Sequence, residues 1–154
     1  MNMKTLLNEI NDLKREIKAL ENKKHELRIA MLPSGVSYDW GRVKISHEDK
    51  MVKYAIKIET VNKIQTEKAL RLYDCLVLLE DVLCLMPTSR CRLLLDLKYK
   101  DVNNVTSWKD VAKTLNLNEC YTRHELYNHT IKEAEEALKE LKDTKAYTRI
   151  SEEK

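Results

Sequence analysis

The sequence predicts an all-α protein in which a long N-terminal helical hairpin or coiled coil precedes a C-terminal helix-turn-helix domain. The 154 residues include two glycines, two prolines and no phenylalanine, and 34% of them are charged, as is typical of long helices. Apolar residues recur at steps of three and four through most of the chain, which is helical spacing. Near the C terminus a short helix, a tight turn and a longer helix follow one another. The predicted organisation is a helical module over residues 1–85, a helix-turn-helix domain over 86–143 and a flexible tail over 144–154.

The first predicted helix covers residues 3–31 and carries a heptad seam. At 1.5 Å per residue this helix is roughly 40 Å long, and it must bury its apolar stripe against another helix. Lys24 fills the one position at which the apolar repeat is interrupted. The pattern allows a partner helix in the same chain or in a second copy. The seam consists of Leu6, Ile10, Leu13, Ile17, Leu20, Leu27 and Met31.

A linker is predicted over residues 32–46. Pro33 and Gly35 end the first helix, and the aromatic residues Tyr38 and Trp40 follow. These two side chains either stack on a nucleic-acid base or cover the apolar end of the neighbouring helices. We favour the second interpretation, because aromatic residues in a short connector usually pack against the elements that they join.

The second predicted helix begins at Ser46 or His47 and continues to about residue 86. Glu48 and Asp49 lie in its first turn, where negative charge complements the helix dipole. From residue 76 to 86 it is apolar on several faces, which predicts that protein surrounds it. Its apolar stripe consists of Met51, Tyr54, Ala55, Ile58, Val61, Ile64, Ala69, Leu72 and Leu76.

The C-terminal domain is predicted to contain three helices. The first begins after Pro87 and carries Leu93, Leu94 and Leu97 on one face, and a polar break over residues 101–106 ends it. The second is a short helix over 108–115, capped by Thr106 or Ser107. A turn over 116–118 follows, because asparagine tolerates the left-handed conformation, and a longer helix covers about 119–142. The predicted core consists of Leu93, Leu97, Trp108, Val111, Ala112, Leu115, Leu126 and Ile131.

Several classes of protein find no support in the sequence. No apolar run is long enough to cross a bilayer, and no signal peptide is recognisable, which predicts a protein without a membrane partner. The four cysteines form no CxxC pair and are predicted to be reduced, buried thiols. Cys120 and His124 share a helix face, but two further ligands at suitable spacing are missing, so no metal site is predicted.

Motifs for catalysis are also missing. The two glycines, Gly35 and Gly41, form no phosphate-binding loop, and no His-Glu-x-x-His or Gly-x-Ser-x-Gly motif occurs. The sequence therefore predicts a protein that is not an enzyme and needs no cofactor.

The net charge is +3, and residues 88–132 alone contain eight basic against five acidic residues. A weak basic excess thus coincides with the predicted helix-turn-helix domain.

Two segments resemble region 4 of sigma-70-type factors. These are Arg90–Tyr99, with a Leu-Lys-Tyr end, and Ser107–Leu115, with the pattern Ser-Trp-x-x-Val-Ala-x-x-Leu. Over nearly its whole length the chain is similar to the RinA/ArpU-like late transcription regulators of phages of low-GC Gram-positive bacteria. The linker segment Val36–Val43 and the later Asp49-Lys50-Met51 add to this resemblance. The family's recognition-helix register matches Leu126–Ile131 only with one extra residue in the turn before it.

The resemblance implies a phage-encoded, DNA-binding transcriptional regulator that activates late genes in the cytoplasm of the host bacterium. Double-stranded DNA is the implied partner. The helical module over residues 1–85 is expected to serve dimerisation or a contact with host RNA polymerase. The rival interpretation is a non-DNA interaction or adaptor protein that works through its coiled-coil rod. A DNA-binding repressor is the second rival.

Candidate DNA contacts follow from the way such a helix enters the major groove with its N-terminal residues facing the base edges. Arg123 suits guanine, Asn128 suits adenine, and Thr122 suits the methyl group of thymine. Tyr121 and Glu125 complete the predicted base contacts. The predicted phosphate contacts, which position the protein without specifying sequence, are Ser107, Lys109, Lys113, His129 and Lys132.

Overall fold

A computed structural model describes residues 2–31, 47–102 and 104–152, with side chains described for 2–31, 51–102 and 104–144. Every regular element in these ranges is helical, which confirms the all-α prediction. The predicted linker over 32–46, with Tyr38 and Trp40, lies outside the described residues. In chain order the elements are α1 Met3–Met31, α2 His47–Leu85, α3 Ser89–Tyr99, α4 Trp108–Thr114, α5 Glu119–Tyr121, a π-helical segment Thr122–Leu126 and α6 Tyr127–Glu152.

The chain divides into two compact units. Unit 1 contains residues 1–14 and 71–154, and unit 2 contains residues 15–70. The predicted boundary near residue 85 does not coincide with this division. The reason is that the first three turns of α1 and the last four turns of α2 are buried together with the C-terminal helices, so they belong to unit 1.

The core of unit 1 draws on α1, α2, α3, α4 and α6. At the start of α1, five apolar side chains are almost completely buried, more than the heptad seam alone contains. Fully buried aliphatic side chains of this kind each stabilise the folded chain by about 1.5–3 kcal/mol. The core residues from α1 are Met3, Leu6, Leu7, Ile10 and Leu13, and the largest ones from the other helices are Leu72, Leu79, Val82, Met86, Leu94, Leu95 and Val111.

In unit 2, α1 and α2 pair in opposite directions. The Lys68 ammonium lies 2.6 Å from a Glu16 carboxylate oxygen, and the Gln65 amide donates to Glu21 at 3.3 Å. Residues further along α1 therefore contact residues nearer the start of α2, so the two helices are antiparallel. Among the side chains described in unit 2, Val61 is the one that is buried. The two helices are thus joined mainly by polar contacts and half-buried apolar residues.

The structure corrects the predicted buried face of α3. Leu93, predicted to be core, is 45% exposed, and Leu97 is only half-buried. Leu94, predicted on the same face, is fully buried, and Cys91, Leu95, Lys98 and Tyr99 form the rest of the buried face. Three consecutive leucines allow either face to be the apolar one, and the choice is made by packing against the rest of unit 1.

Two further predictions about burial are corrected. The end of α2 is not surrounded by protein, because Val77 and Leu85 are 44% and 38% exposed. All four cysteines are free thiols, but only Cys75 and Cys91 are buried, whereas Cys84 and Cys120 are exposed. Amphipathic packing explains both results, since the end of α2 and the helix that begins at Glu119 each keep one face exposed.

The last helix is longer than predicted. The sequence pattern ends it near Lys142, whereas α6 continues to Glu152. Both prolines and both glycines of the chain precede residue 88, so no helix-breaking residue interrupts this segment.

Candidate nucleic-acid interface

A capped short helix opens the segment predicted to contact DNA. Ser107 has extended backbone angles, and its hydroxyl oxygen accepts the Asp110 N–H at 3.2 Å, as an N-cap residue does. The same hydroxyl donates to the Asp110 carboxylate at 2.6 Å. The sequence left Thr106 and Ser107 open as caps, and the structure selects Ser107. Because capping already uses its hydroxyl, Ser107 is held in place at the start of α4.

The turn after α4 is set by Asn116. Its φ angle of 54° lies in the left-handed region, as the sequence predicts for an asparagine at this point. The Leu117 N–H donates to the Ala112 carbonyl at 2.9 Å, and the Asn116 N–H donates to the Lys113 carbonyl at 3.2 Å. This pair of bonds is the Schellman motif, which closes a helix and fixes the direction in which the chain leaves it.

The following helix begins at a second cap. The Asn118 side chain accepts the Cys120 N–H at 2.8 Å, so the helix starts at Glu119, where the sequence predicts it. Its next turn, Thr122–Leu126, is π-helical, with the Tyr127 N–H directed at the Thr122 carbonyl five residues earlier. A π turn holds one more residue than an α turn.

Three aromatic rings fix α3, α4 and α6 to one another. The Trp108 and Tyr127 rings meet edge to face, with centroids 5.0 Å apart. The hydroxyls of Tyr99 and Tyr127 lie 3.2 Å apart. Lys98 places its ammonium 4.7 Å from the centre of the Trp108 ring and donates to the Thr106 carbonyl. Trp108 is half-buried in this cluster, close to the predicted core role.

The start of α1 is tied to this cluster by a buried lysine. The Lys14 ammonium donates to the Tyr99 carbonyl at the end of α3, over 2.6 Å. Burial lowers the pKa of Lys14, while the nearby Asp101 carboxylate opposes that change and Lys98 adds to it. Burial, and then the hydrogen bond with Tyr127, raises the pKa of the Tyr99 hydroxyl well above its ordinary value. The aromatic cluster of Tyr99, Trp108 and Tyr127 is therefore held in place partly by Lys14, near the start of the chain.

Four of the five predicted base-contacting side chains are exposed along the helix that begins at Glu119. Tyr121 is 42% exposed, and Arg123, Glu125 and Asn128 are exposed as well. They lie within the first three turns of that helix.

The structure corrects the prediction for Thr122. Its side chain is completely buried, and its hydroxyl donates to the Asn118 carbonyl at 2.8 Å. A thymine methyl group cannot reach it in this conformation. Thr122 instead packs the beginning of the helix against the domain, which is the role of a small residue with one internal hydrogen bond.

Four of the five predicted phosphate contacts lie on α4 and α6 and are exposed. Lys109, Lys113 and Lys132 are exposed, on α4 and α6, and their ammonium groups are accessible to an anion. His129 is also exposed, but its Nδ1 atom faces Cys91 and Glu133. The exposed acidic residues Asp110, Glu119 and Glu125 partly offset the basic ones, so the surface is only weakly positive.

One side-chain cluster was not predicted from the sequence. Cys91 Sγ lies 3.7 Å from His129 Nδ1, which in turn lies 3.8 Å from Glu133 Oε2. The three ligand-type atoms all lie within 4.8 Å of one another, so this cluster has the residue types and spacing to hold a metal ion. Burial raises the pKa of the Cys91 thiol, which keeps it protonated near neutral pH. The spacing of His129 and Glu133 is visible in the sequence, but Cys91 comes from another helix.

Comparison with protein-family models, with curated proteins and with solved structures finds no match for this chain. Within the described residues, no helix is both long enough and apolar enough to span a membrane.

Proposed function

We propose that α4 and the helix beginning at Glu119 form a helix-turn-helix that binds double-stranded DNA, with the second helix entering the major groove. The observation that carries this proposal is the arrangement of exposed polar side chains at the start of a helix that follows a short capped helix and a tight turn. The aromatic cluster behind it holds the two helices at a fixed angle, which recognition of base edges requires.

Base recognition is assigned to the four exposed residues of that helix. The Arg123 guanidinium matches the two acceptors of guanine in the major groove, and the Asn128 amide matches the donor and acceptor of adenine. Glu125 accepts a hydrogen bond from the amino group of cytosine. Tyr121 offers a hydroxyl and an aromatic edge at the beginning of the helix.

Phosphate contacts are assigned to Lys109, Lys113 and Lys132, which are exposed on α4 and α6. These contacts determine the position of the protein on the duplex and supply the salt-dependent part of the affinity. With three such lysines and a nearly balanced surface charge, the affinity depends on direct base contacts more than it does in strongly basic domains.

The resemblance to RinA/ArpU-like regulators supports a role as a phage activator of late genes. In this proposal the C-terminal helices bind near the promoter, and the helical module over residues 1–85 provides a contact with host RNA polymerase or with a second copy. A reporter driven by the phage late promoter distinguishes activation from repression. Loss of the protein silences the reporter under our proposal and raises its expression if the protein is a repressor.

The direct experiment compares Arg123→Ala with Arg28→Ala, a substitution of the same type at an exposed position in α1. The duplex used is one that the wild-type protein selects from a random-sequence pool. We expect Arg123→Ala to weaken binding by about 5- to 150-fold, which corresponds to about 1–3 kcal/mol for a bidentate base contact. Arg28→Ala should bind as the wild type does.

Salt dependence provides the second readout. Wild-type affinity should fall steeply as salt increases, and Lys113→Ala should weaken binding to all sequences and reduce the salt slope by about one. If the wild type enriches no sequence and binds duplex DNA without salt dependence, the proposal is wrong. An interaction or adaptor function through the helical module over residues 1–85 would then be favoured.

A further inference from the structure

The cluster formed by Cys91, His129 and Glu133 is unusual because a buried carboxylate oxygen within it has no hydrogen-bond partner. Glu133 is only 9% exposed. Its Oε1 atom accepts the Thr88 N–H at 2.7 Å, which fixes the carboxylate against the start of α3. Its Oε2 atom is buried, has no hydrogen-bond partner and faces His129 Nδ1 at 3.8 Å. Leaving a charged oxygen buried in this way costs free energy unless a cation compensates it.

Of the two contacts that His129 Nδ1 makes in the cluster, only the one with Cys91 Sγ, at 3.7 Å, is within hydrogen-bond distance. At 3.8 Å, the separation of His129 Nδ1 from Glu133 Oε2 is too long for a hydrogen bond. In a tetrahedral zinc site, the bond lengths to sulfur, nitrogen and oxygen place the ligand atoms about 3.3–3.6 Å from one another. Two of the three separations are 3.7 and 3.8 Å, and the third, between Cys91 Sγ and the Glu133 carboxylate, is within 4.8 Å, so side-chain adjustments of about 1 Å or less reach those values.

A cysteine nucleophile activated by histidine does not explain the cluster. In such an arrangement the cysteine and the acidic residue contact opposite nitrogens of the imidazole ring, so that one orients the base and the other is activated. Here Cys91 and Glu133 both face Nδ1. Cys91 is also only 1% exposed, which leaves no access for a substrate. Convergence on one nitrogen is the geometry expected around a shared ion.

We propose that Cys91, His129 and Glu133 bind one divalent transition-metal ion, with Zn²⁺ as the best match and solvent as the fourth ligand. Sulfur, imidazole and carboxylate donors together match Zn²⁺ and disfavour Mg²⁺ and Ca²⁺, which prefer oxygen ligands alone. The imidazole of His129 is 68% exposed, so the ion has a route of entry and a solvent-facing position. On binding, the Cys91 thiol releases its proton to solvent, and the thiolate and carboxylate together balance the double positive charge.

The bound ion ties α3 to α6, since Cys91 lies in the first turn of α3 and the other two ligands lie one turn apart in α6. Only folded protein brings these helices together, so metal binding should stabilise the fold. The inference does not depend on the proposed DNA binding, because none of the four base-contacting residues belongs to the cluster. His129, however, would serve as a ligand and not as a phosphate contact.

The test uses Co²⁺ as a spectroscopic substitute for Zn²⁺, added to the reduced full-length protein. We expect a thiolate-to-cobalt charge-transfer band with a stoichiometry of one, removed by one equivalent of Zn²⁺. We expect the same loss in each of three variants, Cys91→Ser, His129→Gln and Glu133→Gln. Each should lose the band, or should weaken Co²⁺ binding by more than is seen when a residue that only supports a ligand is removed, which is about 10- to 100-fold.

Matched controls come from a second cysteine–histidine pair. Cys120 and His124 are both exposed and lie one turn apart, so Cys120→Ser and His124→Gln should leave the cobalt band unchanged. Zn²⁺ should raise the melting temperature of the wild type but not that of His129→Gln, whose exposed side chain is not needed for folding. Absence of the band in the wild type, or its survival in Cys91→Ser, would overturn the proposal.

Discussion

The two halves of α1 carry the same heptad pattern and are buried to different extents. Leu6, Leu13, Leu20 and Leu27 are spaced by seven residues and occupy equivalent positions of the seam. Leu6 and Leu13, in unit 1, are buried to 95% or more, whereas Leu20 and Leu27, in unit 2, are only half-buried. Periodicity therefore indicates which face of a helix is apolar, but not how completely that face is covered.

The difference follows from the number of helices that surround each segment. In unit 2, one partner helix covers the apolar stripe of α1 from a single side, and exposed residues such as Ile56 and Ile64 remain on α2. In unit 1 the core draws on five helices, and burial from several sides is what makes apolar residues strongly stabilising. The region that positions the candidate DNA-binding helix is thus also the well-packed region.

The largest effect that distinguishes the two regions is expected from leucine truncation in α1. Leu6→Ala should lower the free energy of unfolding by about 2–5 kcal/mol, because it leaves a cavity in the core of unit 1. Leu20→Ala, at the same heptad position, should cost only about 1 kcal/mol. Urea denaturation of both variants measures the difference. Equal losses would show that the two halves of α1 are equally well packed.

The next largest effect concerns the buried lysine that joins α1 to α3. Lys14→Ala removes the hydrogen bond to the Tyr99 carbonyl and should destabilise the protein by about 1.5–3 kcal/mol. Lys18→Ala, one turn later and exposed, should change the stability by less than about 0.5 kcal/mol. Thermal melts of the two variants provide the comparison. If the Lys14→Ala protein were as stable as Lys18→Ala, the hydrogen bond from Lys14 to Tyr99 would not stabilise the fold.

A smaller, pH-dependent effect is expected from Tyr99. Its pKa is raised in the folded state, so the folded protein retains this proton above pH 10, where the unfolded chain loses it. The contribution to stability is complete below pH 10 and decreases above it, by about 1.4 kcal/mol per pH unit. Tyr99→Phe should make the alkaline loss of stability shallower by that amount.

The matched control for this titration is Tyr73→Phe, since Tyr73 is 65% exposed. Its substitution should leave the dependence of stability on alkaline pH unchanged. Urea denaturation at several pH values above 10 gives the slopes. Identical slopes in the wild type and Tyr99→Phe would mean that the hydroxyl ionises as readily in the folded protein as in the unfolded chain.

Local features were the most predictable part of the molecule. The bounds of α1, the cap at Ser107, the left-handed Asn116 and the helix start at Glu119 depend on neighbouring residues, and sequence patterns record such preferences directly. The buried face of α3 was not predictable in this way. In an 11-residue helix that contains Leu93, Leu94 and Leu95, periodicity does not distinguish the two faces.

The candidate site was predictable only in its exposed part. Arg123 and Asn128 were singled out by their positions near the start of the helix, and both are exposed. Thr122 has the same kind of position but is turned inward, on the face that it shares with the buried Leu126 and Thr130, four and eight residues later. The cluster of Cys91 with His129 and Glu133 joins residues almost forty positions apart, and only the packing of α3 on α6 brings them together.

Hydrogen exchange along α1 tests most directly whether residues 3–14 belong to the well-packed unit that supports the candidate DNA-binding helix. Amides over 3–14 should exchange as slowly as those of α3 and the first half of α6, while amides over 15–31 should exchange markedly faster. Uniform exchange along the whole of α1, or rapid exchange over 3–14, would show that residues 3–14 are not part of that well-packed unit.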